Sequence, residues 1–187
     1  MRVLGIDCGT ARTGYGVVET PAEAGGAPYR LITYGAIRTG NSLAFPKRLR
    51  RIHDEVARLV AEHEPDSVAI EEVFYQLNPK SAIKLSHVRG VVMLAAASAG
   101  LPVGEYSPLE VKSAVVGYGR AEKEQVQHMV KTLLGLRTKV EPHDAADALA
   151  VAICHINTAT TRQKLAAQTA CSPRKAGSAV RVGGLRS

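Results

Sequence analysis

The sequence predicts an α/β fold in which a mixed five-stranded sheet is flanked by helices. Three strand-like segments come first along the chain, and two further short strands then alternate with helical segments. Strands in meander order followed by alternating strands and helices indicate a mixed sheet with helices on its faces. The chain has 187 residues, of which 45% are hydrophobic, so it is long enough to bury one good core. We expect one compact domain with a tail.

The strands are identified by short apolar or alternating runs that are bounded by turn residues. They are expected at residues 3–7, 13–19, 30–38, 67–72 and 101–105. The first two form a hairpin around a turn that contains Gly9. A loop rich in glycine, alanine and proline precedes the third strand.

The helices are identified by apolar periodicity and by capping residues. Asn78-Pro79 is typical of an N-cap followed by proline at the first helical position, and Ser107 with Glu110 forms a capping box. The helices are expected at residues 45–64 and 79–99, from residue 107 onward, and at 121–134 and 142–156.

Positive charge is concentrated at the end of the chain. The formal net charge is +7, but after Asp147 there are six basic residues and no acidic ones, which leaves 18 basic and 17 acidic residues before that point. Beyond Thr158, apolar periodicity gives way to small, polar and basic residues, a composition that predicts disorder. We therefore divide the chain into a domain at 1–157 and a basic, disordered tail at 158–187, which offers non-specific attraction for phosphate.

The cysteines and the apolar runs bear on cellular location. Cys8, Cys154 and Cys171 form no close pair and no metal-ligand spacing, which argues against zinc and is typical of a reducing cytoplasm. No apolar stretch is as long as a membrane span, and a strand pattern follows Met1-Arg2 without the features of a signal peptide. We expect a cytoplasmic location.

Carboxylates in or beside apolar runs are the most informative feature of the chain. Asp7 ends the first strand, Glu71 and Glu72 end the fourth, and Asp144 and Asp147 lie in the last helix. Such carboxylates are unfavourable to bury and repel one another unless a cation compensates their charge. Mg²⁺ prefers oxygen ligands, and two such ions roughly 3.5–4 Å apart can hold the attacking and leaving oxygens of a phosphodiester displacement. The pattern predicts a nuclease with two Mg²⁺ ions per active site, for which Mn²⁺ can substitute.

The aspartates also have structural explanations. Asp7 could cap the turn before Gly9, and Asp144 could stabilise a helix start after Pro142. However, Asp144 and Asp147 share one helix face, and capping needs only one acid. The alanines around them would let the helix approach a sheet closely.

The two glutamates leave an ambiguity. Glu71 and Glu72 are adjacent on a strand and therefore point to opposite faces, so only one of them can join Asp7. Alternation alone does not decide which one.

Four sequence blocks combine into a specific pattern. They are Gly-Ile-Asp-Cys-Gly at 5–9 with Thr-Gly-Tyr-Gly-Val at 13–17, Ala-Ile-Glu-Glu-Val-Phe at 69–74, Ala-Glu-Lys-Glu-Gln-Val-Gln-His-Met-Val at 121–130, and Asp-Ala-Ala-Asp-Ala-Leu-Ala at 144–150. Together, and in this order over about residues 1–157, they closely resemble the RuvC family of bacterial Holliday junction resolvases. The departures are Cys8, where proline is often found, the loop at 21–28, and the tail.

The resemblance implies a ribonuclease H-like fold, a homodimer, and Mg²⁺-dependent symmetric nicking of two like strands at a four-way DNA junction in recombination and repair. It implies that Asp7, Glu71, Asp144 and Asp147 are the catalytic residues and metal ligands, and it therefore favours Glu71 over Glu72. It also implies the RuvA–RuvB branch-migration complex as a partner.

Two aromatic residues are candidates for contact with DNA. Phe74 and Tyr75 follow Glu71 closely, and an aromatic side chain beside the site can stack on a displaced base. Taken alone, Phe74 would more often belong to a core. The resemblance implies a place for Phe74 at the junction centre, with Tyr75 assisting it.

Basic residues supply further candidates, each of which could also be an ordinary solvated side chain. The stripe at helical spacing is Lys80, Lys84 and His87. The resemblance places Lys112 and Lys123 near the scissile phosphate, and Arg120 could join them. The basic run at 47–51 is more typical of a surface helix, and His143 could approach a metal, shuttle a proton or simply begin a helix.

Two other function classes remain open from the sequence. Residues 5–10 also resemble the first phosphate loop of actin-like and sugar-kinase ATPases, but the chain lacks a second such loop and is short for a two-lobed ATPase. A non-catalytic junction-binding protein is disfavoured because all four acids are present.

Overall fold

The structure, a computed structural model, describes residues 1–21, 27–40, 42–72 and 78–171. The strands are β1 (Arg2–Asp7), β2 (Arg12–Glu19), β3 (Arg30–Arg38), β4 (Ser67–Glu71) and β5 (Val103–Tyr106). The helices are α1 (Phe45–His63), α2 (Pro79–Ser98), α3 (Pro108–Val116), α4 (Lys123–Leu133) and α5 (His143–Cys171). The strands lie in the order β3-β2-β1-β4-β5. The predicted mixed five-stranded sheet with flanking helices is confirmed.

The sheet combines an antiparallel half with a parallel half. β1 pairs antiparallel with β2, and β2 with β3, whereas β4 pairs parallel with both β1 and β5. Ile6 lies opposite Ile70 in the parallel pair. The residues that follow them, Asp7 and Glu71, therefore lie side by side at the carboxyl ends of two central strands.

Both faces of the sheet are covered by helices. On one face, Leu4, Ile6 and Val17 pack in a cluster with Ile52 of α1 and Val88 of α2, and all five side chains are fully buried. The opposite face packs in a second cluster with α3, α4 and α5. Because successive strand residues point to opposite faces, the apolar runs of β1 and β4 are buried on both sides.

Glycines allow α5 to lie directly on the sheet. A Cβ atom added at Gly14 of β2 would lie 1.9 Å from the backbone oxygen of Asp144, and one at Gly5 of β1 would lie 2.1 Å from that of Ala148. No larger residue fits between these backbones without displacing one of them. The predicted close approach of the alanine-rich helix is confirmed, since Ala145 and Ala148 are buried.

The predicted helix starts also form as expected. The Asn78 side chain accepts a hydrogen bond from the Lys80 backbone N–H at 3.0 Å, ahead of Pro79. Ser107 and Glu110 form a reciprocal capping box at the start of α3. These local bonds satisfy backbone donors that a helix cannot pair internally.

The end of α5 differs from the expectation. The helix was expected to stop near Ile156, with disorder from residue 158, but it continues to Cys171. The prediction is wrong for residues 158–171 because residues 161–169 are exposed and their sequence shows no apolar periodicity. They are nevertheless rich in alanine, glutamine, lysine and leucine, which favour helix without an apolar face. Residues 172–187 lie outside the described residues. Neither α5 nor any other helix in the described ranges is long and apolar enough to cross a membrane.

Candidate active site

The four predicted acids come from three elements that meet at one end of the sheet. Asp7 ends β1, Glu71 ends β4, and Asp144 and Asp147 lie one turn apart at the start of α5. The close packing of α5 on Gly14 brings its first turn against the strand that pairs with Asp7. The charges of Asp147, Glu71 and Asp144 all act on Asp7, so the fold has gathered the four acids.

The surroundings of Asp7 raise its pKa strongly. Burial, followed by the charges of Asp147, Glu71 and Asp144, raises the pKa of Asp7 to about 7, and the positive charge of Lys123 offsets this only in part. A carboxylate with such a pKa is one that its surroundings fail to compensate. A bound cation would supply the missing compensation.

Glu71, rather than Glu72, faces the other acids. Burial and the charge of Asp147 raise the pKa of Glu71, while Lys123 and Lys112 act to lower it. Glu72 is exposed. The strand therefore turns one glutamate toward Asp7 and the other toward solvent, which is the arrangement that alternation alone could not decide.

Cations lie beside both aspartates of α5. Lys123 Nζ donates to Asp147 Oδ2 at 2.5 Å, and Arg12 Nε lies 3.5 Å from Asp144 Oδ2. Burial acts to lower the pKa of Lys123, but the hydrogen bond and charge of Asp147 outweigh it, so the pKa is raised. Lys123 therefore stays protonated beside the acids.

A cavity of about 220 Å³ opens beside the acids. It is lined by Glu71, Lys112, Lys123 and Asp147 together with apolar residues of α3, α4 and α5. Carboxylates and lysines lining one cleft can bind a phosphate group and the cation that neutralises it.

Comparison with known proteins identifies the family. The profile of the family described as "Crossover junction endodeoxyribonuclease RuvC" matches residues 3–155. A protein of that name from Syntrophomonas wolfei is 55% identical over 157 residues, covering 84% of this chain and 89% of the relative. Another, from Acidobacterium capsulatum, is 56% identical over 166 residues, covering 87% and 97%. The chain belongs to the RuvC family.

Solved structures agree with this assignment. RuvC of Thermus thermophilus, in complex with a Holliday junction substrate, is 38% identical and superposes with a TM-score of 0.81 over 87% of this chain and 96% of that chain. The yeast mitochondrial Holliday junction resolvase Ydc2 shares the fold, with a TM-score of 0.62 at 14% identity. The ribonuclease H-like fold predicted from the resemblance is confirmed.

A nuclease of the RuvC family implies a requirement for a divalent metal ion, and the donor set fits one. Four carboxylates supply the oxygen ligands that hard cations prefer, and the raised pKa of Asp7 indicates uncompensated negative charge. Within the described part of the chain, no group of three acidic, histidine or cysteine side chains is already arranged as an ion site. Asp147 is engaged by Lys123 and Asp144 by Arg12, so these carboxylates would have to turn toward Asp7 to share an ion.

The predicted DNA-binding residues of this RuvC-family protein have different outcomes. Lys112 and Lys123 lie at the acidic cleft, whereas Arg120 is exposed in the connection between α3 and α4. Lys80 and Lys84 lie on α2, where Lys84 Nζ is 6.0 Å from the centre of the Phe45 ring. No contact joins either lysine to the acids in the described ranges. Phe74 and Tyr75 lie outside the described residues, so their role stays a prediction.

Two residues of the site were missed by the sequence analysis. Arg12 reaches Asp144 because the β1–β2 hairpin places it beside the start of α5. The buried side-chain amide of Gln127 lies 2.9 Å from Nδ1 of His143, next to Asp144. Gln127 belongs to the block at 121–130, but its contact with His143 depends on how α4 packs against α5.

Proposed function

We propose that this chain is a structure-specific endonuclease that resolves four-way DNA junctions by nicking two like strands symmetrically in recombination and repair. The observation that carries the proposal is the position of Asp7 among three other carboxylates, of which Glu71 and Asp147 line the cleft, with the pKa of Asp7 raised to about 7. A site built only for stability would not concentrate uncompensated acids in this way. Membership of the RuvC family supplies the substrate class.

Asp7, Glu71, Asp144 and Asp147 are the proposed catalytic residues and metal ligands. When bound, two Mg²⁺ ions, or Mn²⁺ in their place, would polarise the scissile phosphodiester and favour attack by water. The carboxylates would hold these cations, which would compensate the negative charges of the acids and of the phosphate. Because Asp7 must be ionised to act as a ligand, we expect the affinity for the metal to rise with pH through about 7.

The basic residues of the cleft have separate proposed roles. Lys123 holds Asp147 at 2.5 Å in the free protein and, once released, can donate to a phosphate oxygen. Lys112, which lines the same cavity, can neutralise the charge that develops on the phosphate. His143 is oriented by Gln127 and lies next to Asp144, where it can hold a water or a proton near the cleft.

Symmetric nicking needs two active sites, and we propose a homodimer formed through α2. Ile83 and Leu94 are each 58% exposed, and eleven positions separate them, so they lie on one helix face. Between them, this face carries Gly90 and Val91, and with Leu49 of α1 it lines an apolar cavity. An exposed apolar stripe on a helix is suited to burial against a second copy.

Two further proposals have different grounds. We propose a cytoplasmic location from the cysteine pattern, and cooperation with the RuvA–RuvB branch-migration complex from the family resemblance alone. Co-purification of the two complexes on a junction would support the cooperation.

The proposed function is tested by incubating the purified protein with Mg²⁺ and either a synthetic four-way junction or a linear duplex. We expect paired nicks on the junction and little cleavage of the duplex. Glu71→Gln should lower the nicking rate by at least about two decades, because it removes a proposed metal ligand, whereas its neighbour Glu72→Gln serves as a matched control and should be close to the parent. ATP hydrolysis without nicking would favour the ATPase alternative, and junction binding without nicking a non-catalytic role.

A further inference from the structure

A second group of cations lies on the opposite side of the acids from Lys112 and Lys123. Arg12 of β2 and Arg38 of β3 line a cleft of about 410 Å³ together with Glu141, His143 and Asp144. This cleft and the one beside Asp147 both border the start of α5. The acidic cluster therefore has positive side chains on both flanks.

The two arginines lie directly opposite each other on neighbouring strands. Arg12 and Arg38 are directly paired residues of the antiparallel β2–β3 ladder, so their side chains leave the same face about 4.5–5.5 Å apart at Cβ. Like charges in this arrangement repel each other and destabilise the strand pair. An anion between them would remove the repulsion.

Asp144, which contacts Arg12, does not neutralise the two arginines. Asp144 approaches Arg12 only at Nε, at 3.5 Å, and the Arg12 side chain remains 58% exposed. Arg38 has no ion-pair partner among the described residues. The terminal nitrogens of both guanidinium groups are therefore available to a phosphate, whose geometry they match.

The positive surface continues over the edge of the sheet. Arg38 belongs to the edge strand β3 and also lines a second cleft, on the α1 side, with Arg51 and Arg58. Arg58 is paired with Glu55 at 3.0 Å, whereas Arg51 is exposed and, like Arg38, has no ion-pair partner in the described part of the chain. Arg12, Arg38 and Arg51 thus follow one another from Asp144 to α1.

We propose that Arg12, Arg38 and Arg51 form a phosphate-binding track that holds the backbone of the DNA strand as it leaves the acidic cleft and passes over the edge of the sheet at β3. The strand would enter beside Lys112 and Lys123 and leave beside Arg12. The inference rests on the proposed function, because it takes DNA as the ligand of the cleft.

The first test measures the affinity for a four-way junction in EDTA at several salt concentrations. Each phosphate contact adds about 0.9 to the slope of log affinity against log salt. Arg38→Gln and Arg51→Gln should each reduce the slope by about one, and Arg38→Lys should restore most of it. Arg50→Gln is the matched control, because Arg50 is next to Arg51 but is 85% exposed and paired with Asp54 at 3.6 Å. Its slope should equal that of the parent.

The second test locates the contact. Single phosphates on either side of the nicked position are replaced by neutral methylphosphonates, and binding is measured for the parent and for Arg38→Gln. At the phosphate that Arg38 contacts, the neutral replacement should lower the affinity of the parent but have little further effect on the affinity of Arg38→Gln. At every other phosphate, the replacement should lower the affinity of both proteins equally. Identical losses in both proteins at every position would overturn the track.

Nicking by the parent on the same junction separates the two proposals. If the parent nicks the junction while Arg38→Gln and Arg51→Gln keep its salt slope, the track is wrong and the proposed function stands. A parent that neither binds nor nicks the junction overturns both. Thermal unfolding of each variant establishes that the fold is retained. Arg51→Gln and Arg50→Gln should stay close to the parent because both side chains are exposed, and Arg38→Gln should be equally or slightly more stable because it removes the repulsion with Arg12.

Discussion

Asp7 sets a conflict between stability and activity at the level of a single residue. Its pKa is raised from 3.8 to about 7 by burial and by the neighbouring carboxylates. The folded chain therefore holds the Asp7 proton more tightly than the unfolded chain does. As pH rises from about 4 to above 7, the folded state loses this advantage, and ionised Asp7 destabilises the metal-free protein.

We expect Asp7→Asn to unfold at a higher temperature than the parent in EDTA at pH 8, and to nick junctions at least about two to three decades more slowly. At 1.36 kcal/mol per pKa unit, the gain in unfolding free energy has an upper bound of about 4 kcal/mol, and it should disappear near pH 4. Asp54→Asn, on the exposed face of α1, is the control and should change stability little. A less stable Asp7→Asn protein at pH 8 would contradict this account.

His155 gives the opposite dependence on pH. Its Nε2 lies 3.0 Å from Ser67 Oγ and its Nδ1 lies 2.9 Å from the Tyr106 hydroxyl, so the neutral ring has a partner at both nitrogens. Burial, followed by the charge of Arg162, lowers the pKa of His155 below its usual 6.5. The unfolded chain therefore takes up a proton at this position before the folded chain does.

The contribution of His155 to stability should be complete above pH 6.5 and should decline as pH falls through that value, by up to about 1.4 kcal/mol per pH unit. Urea unfolding gives the unfolding free energies of the parent and of His155→Gln at pH 7.5 and at pH 5.5. The difference between the two proteins at each pH measures the contribution of His155, because the other titrating groups are common to both. An advantage of the parent that is equal at both pH values would show that His155 does not titrate in this range.

At the scale of the elements, the contact of α5 with β1 and β2 positions the site. The Gly14→Ala variant would place a methyl group 1.9 Å from the Asp144 carbonyl oxygen, and neither backbone can move without shifting the other. We expect a loss of about 1–3 kcal/mol in unfolding free energy and a fall in nicking rate of roughly a hundredfold, because a displacement near 1 Å separates Asp144 from Asp7.

Gly119→Ala is a suitable comparison for Gly14→Ala. A Cβ atom at Gly119 would lie 3.0 Å from side-chain atoms of Leu109 and Ser113, and Leu109 is 61% exposed and free to adjust. The variant should be close to the parent in stability and nicking. If Gly14→Ala also behaves like the parent, the helix is not held by backbone contact.

The strands and helices were largely predictable, because their apolar periodicity and capping residues can be recognised in the local sequence. β3 and the capping box of α3 are found where the sequence placed them. The extension of α5 was not predictable from apolar periodicity, since residues 161–169 are all exposed. The pairing of Arg12 with Arg38 was also hidden, because register across a loop is decided by the packing of the whole sheet.

For the whole molecule, the exposed stripe of α2 predicts the oligomeric state. Ile83→Glu introduces a charge within the proposed contact and should convert the dimer into folded monomers, because a buried unpaired carboxylate is strongly unfavourable. Sedimentation equilibrium measures the change. The monomer should lose paired nicking while it retains some single nicks.

Leu165→Glu, at a residue that is 57% exposed on the extended part of α5, is the matched control and should remain dimeric. A parent that sediments as a monomer at micromolar concentration, or an Ile83→Glu protein that remains a dimer, would place the second active site elsewhere.

Asp7, Asp144 and Asp147 could be selected as candidates because they interrupt apolar runs, whereas the choice of Glu71 over Glu72 needed the family resemblance. The cations around the acids were only partly predictable. Lys123 lies in a recognisable sequence block. Arg12 begins β2, just after the turn that follows Asp7, and it contacts Asp144 only because α5 packs against the sheet there. The sequence identifies the candidate acidic and basic side chains, and the packing of α5 on the sheet determines which of them lie in one site.

The backbone contact between α5 and the sheet also bears on how such a protein can evolve. With no layer of side chains between Gly14 and Asp144, the distance from β2 to the start of α5 is set by backbone contact and not by the sizes of the residues in the apolar cluster on the α1–α2 face of the sheet. Substitutions in that cluster can raise or lower the melting temperature with little effect on the distance on which the chemistry depends. Lineages adapting to hot or cold habitats can therefore adjust stability in one part of the molecule while the reaction geometry is inherited unchanged.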